Sequence, residues 1–160
     1  MGSGVKYQKY TIGAIIEIEI QNGEYYCYGQ LLDYNQCVIF DFKSENHLSD
    51  FDFLTDCKIL CRVTIDNDII TTGTWKKVGY LQLRADFRSS PRMYIFHDWD
   101  NSFYLYDILT VTIVHSDKKE CRGLERCVVW SSSRLEDRIQ AHFDRLPCKW
   151  MKQHYDLFLE

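Results

Sequence analysis

One long helix signal, at residues 124–143, limits how this chain can fold, because most segments before it have the pattern of β-strands. Ser131, Ser132 and Ser133 offer hydroxyls that could cap the N-terminus of the helix. Ser133 stands three residues before Glu136, which is the spacing of a capping box. The apolar residues that follow recur at helical spacing and define one stripe: Leu135, Ile139, Phe143 and Leu146. An amphipathic helix needs an apolar surface to lie on, so we expect it to pack on a sheet.

The segments before this helix are predicted to form antiparallel strands joined by short turns. Residues 12–20 alternate isoleucine with Glu17 and Glu19, which predicts a strand with one buried face and one solvent-exposed face. An Asn-Gly pair, the favoured turn of a tight hairpin, then leads into a returning strand at residues 25–32. Further strands are predicted at residues 37–42, 58–65, 69–72, 75–83, 93–97, 103–107 and 110–114.

The expected fold class is α+β, with a curved, mostly antiparallel β-sheet on which the C-terminal α-helix packs. Barrel-like closure of this sheet is an open alternative. A chain of 160 residues fits one domain and can bury a core, so we expect a single domain over residues 7–160. Residues 1–6 are expected to be a disordered start, since they open with a Met-Gly-Ser-Gly run typical of an expression-tag remnant.

Cysteine usage and hydropathy predict a reduced, cytoplasmic protein. The seven cysteines are an odd number, and several lie within apolar strand-like runs, where a free cysteine behaves as a small buried hydrophobe. No apolar run reaches the roughly 18 residues that a membrane span needs, and no secretory signal peptide is recognised. We therefore expect neither structural disulfides nor a membrane partner.

The charge distribution disfavours nucleic acid as a partner. The net charge is −4, and residues 1–60 hold four basic against nine acidic side chains. Phosphate neutralisation needs a basic face, whereas an acidic face suits a basic partner. Eleven tyrosines and nine phenylalanines could still form a stacking surface, so a small β-rich interaction or nucleic-acid-binding module remains an alternative.

The most acidic segment of the chain is residues 41–56, where five acids stand against one lysine. These acids are Asp41, Glu45, Asp50, Asp52 and Asp56. Phe51 and Phe53 lie between them. Aromatic side chains can anchor an interface while carboxylates steer a basic partner, which predicts a protein-docking surface. An ordinary solvated loop is the alternative interpretation.

Evidence for catalysis or metal binding is weak. His97, Asp98 and Asp100 place an imidazole and two carboxylates at one predicted hairpin tip, which would suit a hydrolase, but a solvated turn has the same composition. The chain contains none of the common nucleophile, zinc-protease, phosphate-loop or dinucleotide motifs, and no CxxC pair. We therefore expect no catalytic residues, metal, cofactor or small-molecule substrate.

Three separated groups of residues form an ordered pattern along the chain. The first group is Tyr10-Thr11-Ile12-Gly13, residues 16–20, Asn22-Gly23 and Tyr28-Gly29-Gln30. The second is Thr74-Trp75-Lys76-Lys77-Val78-Gly79. The third is Leu124-Glu125-Arg126, Val129-Trp130, Glu136-Asp137-Arg138-Ile139, His142-Phe143 and Trp150. In this order they resemble the Imm26 family, immunity proteins of bacterial polymorphic toxin systems, although Ala14 and the lack of a proline depart from the family's usual opening.

The resemblance implies a compact α+β fold, a cytoplasmic antitoxin role without catalysis, and a cognate toxin domain as the protein partner. Trp75 and Trp130 would then mark the fold and are expected in the core rather than at a contact surface. Together with the acidic segment, this leads to the hypothesis of an immunity protein that meets its toxin through residues 41–56. The alternatives are the interaction or nucleic-acid module and a hydrolase using His97 with Asp98 or Asp100.

Overall fold

The computed structural model describes residues 7–159, so the expectation for residues 1–6 lies outside the described residues. Within this part of the chain the strands are β1 (Ala14–Ile20), β2 (Tyr25–Leu31), β3 (Gln36–Ser44), β4 (Ile59–Ile65), β5 (Lys76–Tyr80), β6 (Met93–His97), β7 (Ser102–Asp107), β8 (Thr112–Ser116) and β9 (Val129–Trp130). The helices are α1 (Asp68–Thr71), α2 (Lys118–Cys121), α3 (Ser132–Asp144) and α4 (Lys152–Phe158). Short 3-10 turns lie at Asp52–Asp56, Ala85–Phe87 and Lys149–Met151.

The strands form two sheets, which confirms the α+β class. The larger sheet has the order β5-β1-β2-β3-β4-β9, and all of its pairs are antiparallel except β4 with β9. The smaller sheet is an antiparallel meander in the order β6-β7-β8. Both sheets are open, with β5 and β9 at the edges of the larger one, so the alternative of barrel-like closure is wrong.

The strand predicted at residues 69–72 is also wrong, because Asp68–Thr71 forms one helical turn. Its two isoleucines are buried against the larger sheet in a cluster that also contains Trp75. An apolar run this short does not show whether its residues repeat with the period of a strand or of a helix, so it fits both a strand and a buried helical turn. Here the backbone of Thr72 closes the turn by donating to the Asp68 carbonyl at 3.0 Å.

The larger sheet is buried on both faces, which the alternation in β1 did not predict. The helix-side cluster lies under α1 and α3 and includes Ile16, Ile18, Ile39, Val63, Leu135 and Ile139. The second-face cluster comprises Ile15, Tyr28, Leu32, Val38, Phe40, Leu54 and Phe87. Leu54 and Phe87 come from the two segments that cross this face, one between β3 and β4 and the other after β5. The expected solvent-exposed face of β1 is thereby largely covered, and Glu17 becomes partly buried.

Helix α3 packs on the sheet as predicted, but its ends differ from the expectation. Of the three candidate serines, Ser131 is the N-cap, and its hydroxyl accepts from the Arg134 N–H at 3.4 Å. The capping box at Ser133 is therefore not formed. The helix ends at Asp144, and Arg145 adopts a left-handed conformation with φ 58°. Leu146 therefore leaves the apolar stripe and is 63% exposed.

Glu136 joins helix α3 to the sheet instead of capping the helix. Its Oε2 accepts a hydrogen bond of 2.9 Å from Trp75 Nε1. Trp75 and Trp130 are both buried in the helix-side cluster, which confirms the expectation that they belong to the core. Burial raises the pKa of Glu136, and the hydrogen bond from Trp75 opposes that rise.

The Glu136→Gln variant is expected to remove one component of the pH dependence of folding. The native carboxyl has a pKa above its unfolded value, so it stabilises the protein below about pH 4.3 and loses that contribution as pH rises through the folded pKa. A glutamine oxygen can still accept from Trp75 without burying a charge. Urea denaturation at pH 4 and pH 7 should show the variant gaining stability relative to the native protein at the higher pH, whereas an unchanged difference would contradict this prediction.

The smaller sheet has its own apolar cluster, which is closed by the C-terminal helix. This cluster contains Tyr94, Phe96, Leu105 and Cys121, and Phe158 of α4 packs on it with its ring centroid 5.3 Å from that of Tyr94. His154 of the same helix lies 2.7 Å from the Tyr94 hydroxyl through Nδ1. Helix α4 therefore covers one face of the smaller sheet.

Candidate functional site

The segment between β3 and β4 lies across the second face of the larger sheet with its apolar side chains turned inward. Leu48, Phe51, Leu54 and Cys57 pack in or against the second-face cluster. The 3-10 turn begins at Asp52, whose N–H donates to Asp50 Oδ1 at 3.0 Å. Because the apolar residues of the segment pack on the sheet, most of its acidic side chains are exposed to solvent.

A hydrogen-bond network fixes the start of this segment to the sheet. Glu17 of β1 accepts from the Tyr28 hydroxyl at 2.7 Å and lies 2.8 Å from His47 Nδ1. The Tyr28 hydroxyl in turn accepts from the Leu48 N–H at 3.0 Å, and the His47 ring lies over Tyr26 at 4.2 Å. Sequence reasoning did not anticipate this network, because its partners belong to three separate segments. These contacts join the start of the loop to both β1 and β2.

The two phenylalanines proposed as anchors have different environments. Phe51 packs beside Tyr28, with ring centroids 5.8 Å apart, and lies so close to β5 that a Cβ at Gly79 would approach Phe51 Cδ2 to 2.8 Å. Phe53 is 44% exposed and touches the edge of Phe42, with ring centroids 4.9 Å apart. Phe51 therefore supports the segment, whereas Phe53 presents an aromatic surface to solvent.

The structure does not bring the five acids onto one surface. Asp41 points to the helix side of β3, where its Oδ1 lies 2.8 Å from His142 Nε2 of α3. Its neighbours Phe40 and Phe42 face the second-face cluster, as the alternation of side chains in a strand requires.

The other four acids are exposed and leave a local charge of −4. They are Glu45, Asp50, Asp52 and Asp56, and residues 45–56 contain no lysine or arginine. Among residues 7–159 no salt bridge is formed by these four carboxylates. We refer to the four acids with Phe53 as the acidic face.

The hairpin between β6 and β7 carries the residues of the hydrolase alternative. The His97 ring stacks on Trp99 with centroids 4.1 Å apart and lies 4.8 Å from Tyr104. Asp98 accepts from Gln153 Nε2 at 2.6 Å, while Asp100 accepts from the Ser102 hydroxyl at 2.6 Å. Each of the three side chains thus has a contact that organises the turn or fixes it to α4.

The cysteines and acidic groups do not form a metal centre in the described part of the chain. All seven cysteines are free, and burial raises the pKa of both Cys27 and Cys61 to about 12. These thiols are protonated at neutral pH and pack as small apolar side chains. None of the described helices has the length and apolar character needed to cross a membrane.

Comparison with known proteins gives one family match. Residues 11–105 match the family model described as Immunity protein 26. Apart from Tyr10, the match contains the first two groups of the sequence pattern, together with the acidic face and the hairpin at 97–102, and it ends within β7. No curated protein and no solved structure matches the chain.

Proposed function

The chain belongs to the Imm26 family of immunity proteins, and from this premise we propose that it binds and neutralises a cognate bacterial toxin in the cytoplasm. The family match is the observation that carries this proposal. An immunity protein of this kind needs a rigid scaffold and a complementary surface, and it performs no reaction on its partner. We propose the acidic face as the contact surface.

The acidic face has the charge and support that such a contact requires. Its four carboxylates have no salt-bridge partners within residues 7–159, so their field extends into solvent and favours a basic partner. Such a field raises the rate of encounter and disfavours acidic proteins, while Phe53 supplies apolar area that becomes desolvated on binding. The network around Glu17 and His47 keeps the segment ordered before the partner arrives.

Asp41 and Phe51 take supporting positions in this proposal. Asp41 holds His142 of α3 at 2.8 Å and contributes to the negative field from the other side of β3. Phe51 packs directly over Gly79 of β5 and so positions the 3-10 turn on the sheet. The direct contacts with the toxin are assigned to the acidic face.

A charge-reversal variant tests the acidic face. In Glu45→Lys/Asp52→Lys/Asp56→Lys, Asp50 is retained because its carboxylate accepts from the Asp52 N–H at the start of the 3-10 turn. The toxin, obtained by pull-down from the native organism or as the product of the adjacent large gene, is titrated against each protein by calorimetry. We expect native affinity in the nanomolar range and a loss on the order of 100-fold or more in the variant, since like-charge contacts cost several kcal/mol.

The matched control is Glu24→Lys/Asp33→Lys/Asp68→Lys, which changes the net charge equally at three other exposed acids. This control should bind within a few-fold of the native protein. Equal losses in the two triple variants would mean that only net charge matters, and full affinity in the first would remove the acidic face from the interface. The absence of any protein partner at micromolar concentration would overturn the proposed function itself.

A further inference from the structure

The four sheet edges of the molecule differ in how they are protected. β5 carries Lys76 and Lys77, and the Lys77 N–H donates to Gln8 Oε1 at 3.1 Å. β9 has only two residues. The outer edge of β6 is occupied by the segment before β9, because the Tyr94 backbone donates to Glu125 at 3.0 Å and accepts from Cys127 at 2.8 Å. Lysines, short strands and covering segments are the usual means of preventing edge-to-edge association.

β8 has none of these protections among the described residues. Its five residues, Thr112–Ser116, include no lysine, arginine, aspartate, glutamate or proline, and the strand pairs with β7 in an unbroken register. The chain then turns inward, so α2 lies over β7, where Cys121 Sγ is 3.9 Å from the Tyr104 carbonyl oxygen. The outer backbone groups of β8 are left without a partner strand in the part of the chain that the structure describes.

Three apolar side chains at this edge are open to solvent. Ile113 and Val114 point to opposite faces of the smaller sheet, and each is more than half exposed. Val111, at the start of the edge, is 74% exposed and has φ 53°. A β-branched residue in this left-handed region is strained, which lowers the stability of the folded state. In the described chain no burial of the Val111 side chain offsets that strain.

The sequence of β8 is compatible with pairing to itself. A two-fold axis at Val114 would place Val114 opposite Val114, Ile113 opposite His115 and Thr112 opposite Ser116 in an antiparallel pair. Val114 meets Val114, the Thr112 and Ser116 hydroxyls meet, and each Ile113 lies opposite a His115 ring, so no two residues of like charge are directly opposed. The absence of charge on β8 favours a second copy over a foreign partner that must be steered to the edge.

We propose that two copies of this chain associate through β8, which joins their smaller sheets into one continuous six-stranded antiparallel sheet. The dimer is isologous, with its two-fold axis at Val114. It forms without the toxin and leaves the acidic face outside the interface residues, so it does not depend on the proposed function. An interface built on two five-residue strands is small, and we expect a dissociation constant on the order of 10 µM.

Sedimentation velocity of the native chain, without toxin, tests the dimer over concentrations from about 1 to 200 µM. The expected mass rises from that of the 19.1 kDa monomer towards twice that value. Val114→Lys places two ammonium groups opposite each other at the axis and should weaken the dimer at least tenfold. The control Val129→Lys alters an equally apolar, exposed valine on β9 and should leave the dimer unchanged.

A cysteine substitution tests the register independently of any loss of association. Across the axis the Val114 Cα atoms would lie about 4.5–5.5 Å apart, which is within the range of a disulfide. Val114→Cys should therefore form a covalent dimer under mild oxidation, at least ten times faster than the native chain or Ile113→Cys. A native chain that stays monomeric at every concentration, a dimer that survives Val114→Lys, or equal cross-linking in all three proteins would each overturn the proposal.

Discussion

Replacing Trp75 by alanine is expected to lower the free energy of unfolding by about 4 kcal/mol. The side chain is 1% exposed and lies between the larger sheet and its covering helices. Its loss leaves a cavity, and Glu136 loses the donor that compensates for the partial burial of its carboxylate. Because small domains are stable by only about 5–15 kcal/mol, this change alone removes a large fraction of the total.

Urea denaturation followed by circular dichroism measures this effect, with a common m-value required for the comparison. The control Trp75→Phe keeps most of the apolar contact and loses the hydrogen bond and some volume, so we expect a cost of about 1–2 kcal/mol. A cost below about 1 kcal/mol for Trp75→Ala would mean that the site relaxes around the missing ring, and the role given to Trp75 would be wrong.

Glu125→Ala is expected to destabilise the protein by about 3 kcal/mol. Glu125 accepts two hydrogen bonds from Arg138, from Nη1 at 2.9 Å and from Nη2 at 2.7 Å. The Arg138 side chain is largely buried, and its guanidinium carbon lies 5.2 Å from the centre of the Trp130 ring. Without the carboxylate a buried cation loses its counter-charge, which costs far more than the loss of an exposed ion pair.

The double variant Glu125→Leu/Arg138→Met separates the cost of an unpaired charge from that of disturbed packing. Removing both charges is expected to cost less than Glu125→Ala alone, since no buried cation remains. Chemical denaturation of Glu125→Leu, Arg138→Met and the double variant gives the coupling energy. If the two single costs simply add in the double variant, the ion pair does not contribute as proposed.

Helix α3 illustrates how much of this molecule can be read from local patterns. The spacing of Leu135, Ile139 and Phe143 predicted one apolar stripe, and the structure places the first two in the buried core with the third packed against it. The same pattern also placed Leu146 on the stripe. The helix ends before that residue, because Arg145 is left-handed, and sequence spacing does not show this. Periodicity identifies an element more reliably than its boundaries.

The acidic segment marks the limit of such reasoning. Its composition predicted a charged surface with aromatic side chains, and its residues include the exposed Phe53 and four exposed acids. Composition could not indicate that Asp41 faces α3 or that Phe51 faces Tyr28. In both a strand and a loop that covers a sheet, some side chains point to the core and others to solvent, and composition does not show which. The contact role of these residues remains a proposal that the charge-reversal variant tests.

By itself, the sequence determined the α+β class, most strands and the sheet-packing helix, because each depends on residues close together in the chain, and it indicated the family through the order of three separate groups. The tertiary structure decided what lies on the second face of the larger sheet and which edge stays open. Glu17 meets His47 across 30 positions, and Trp75 meets Glu136 across 61. Contacts over such separations form only when several elements pack together, so they cannot be predicted from a local sequence pattern.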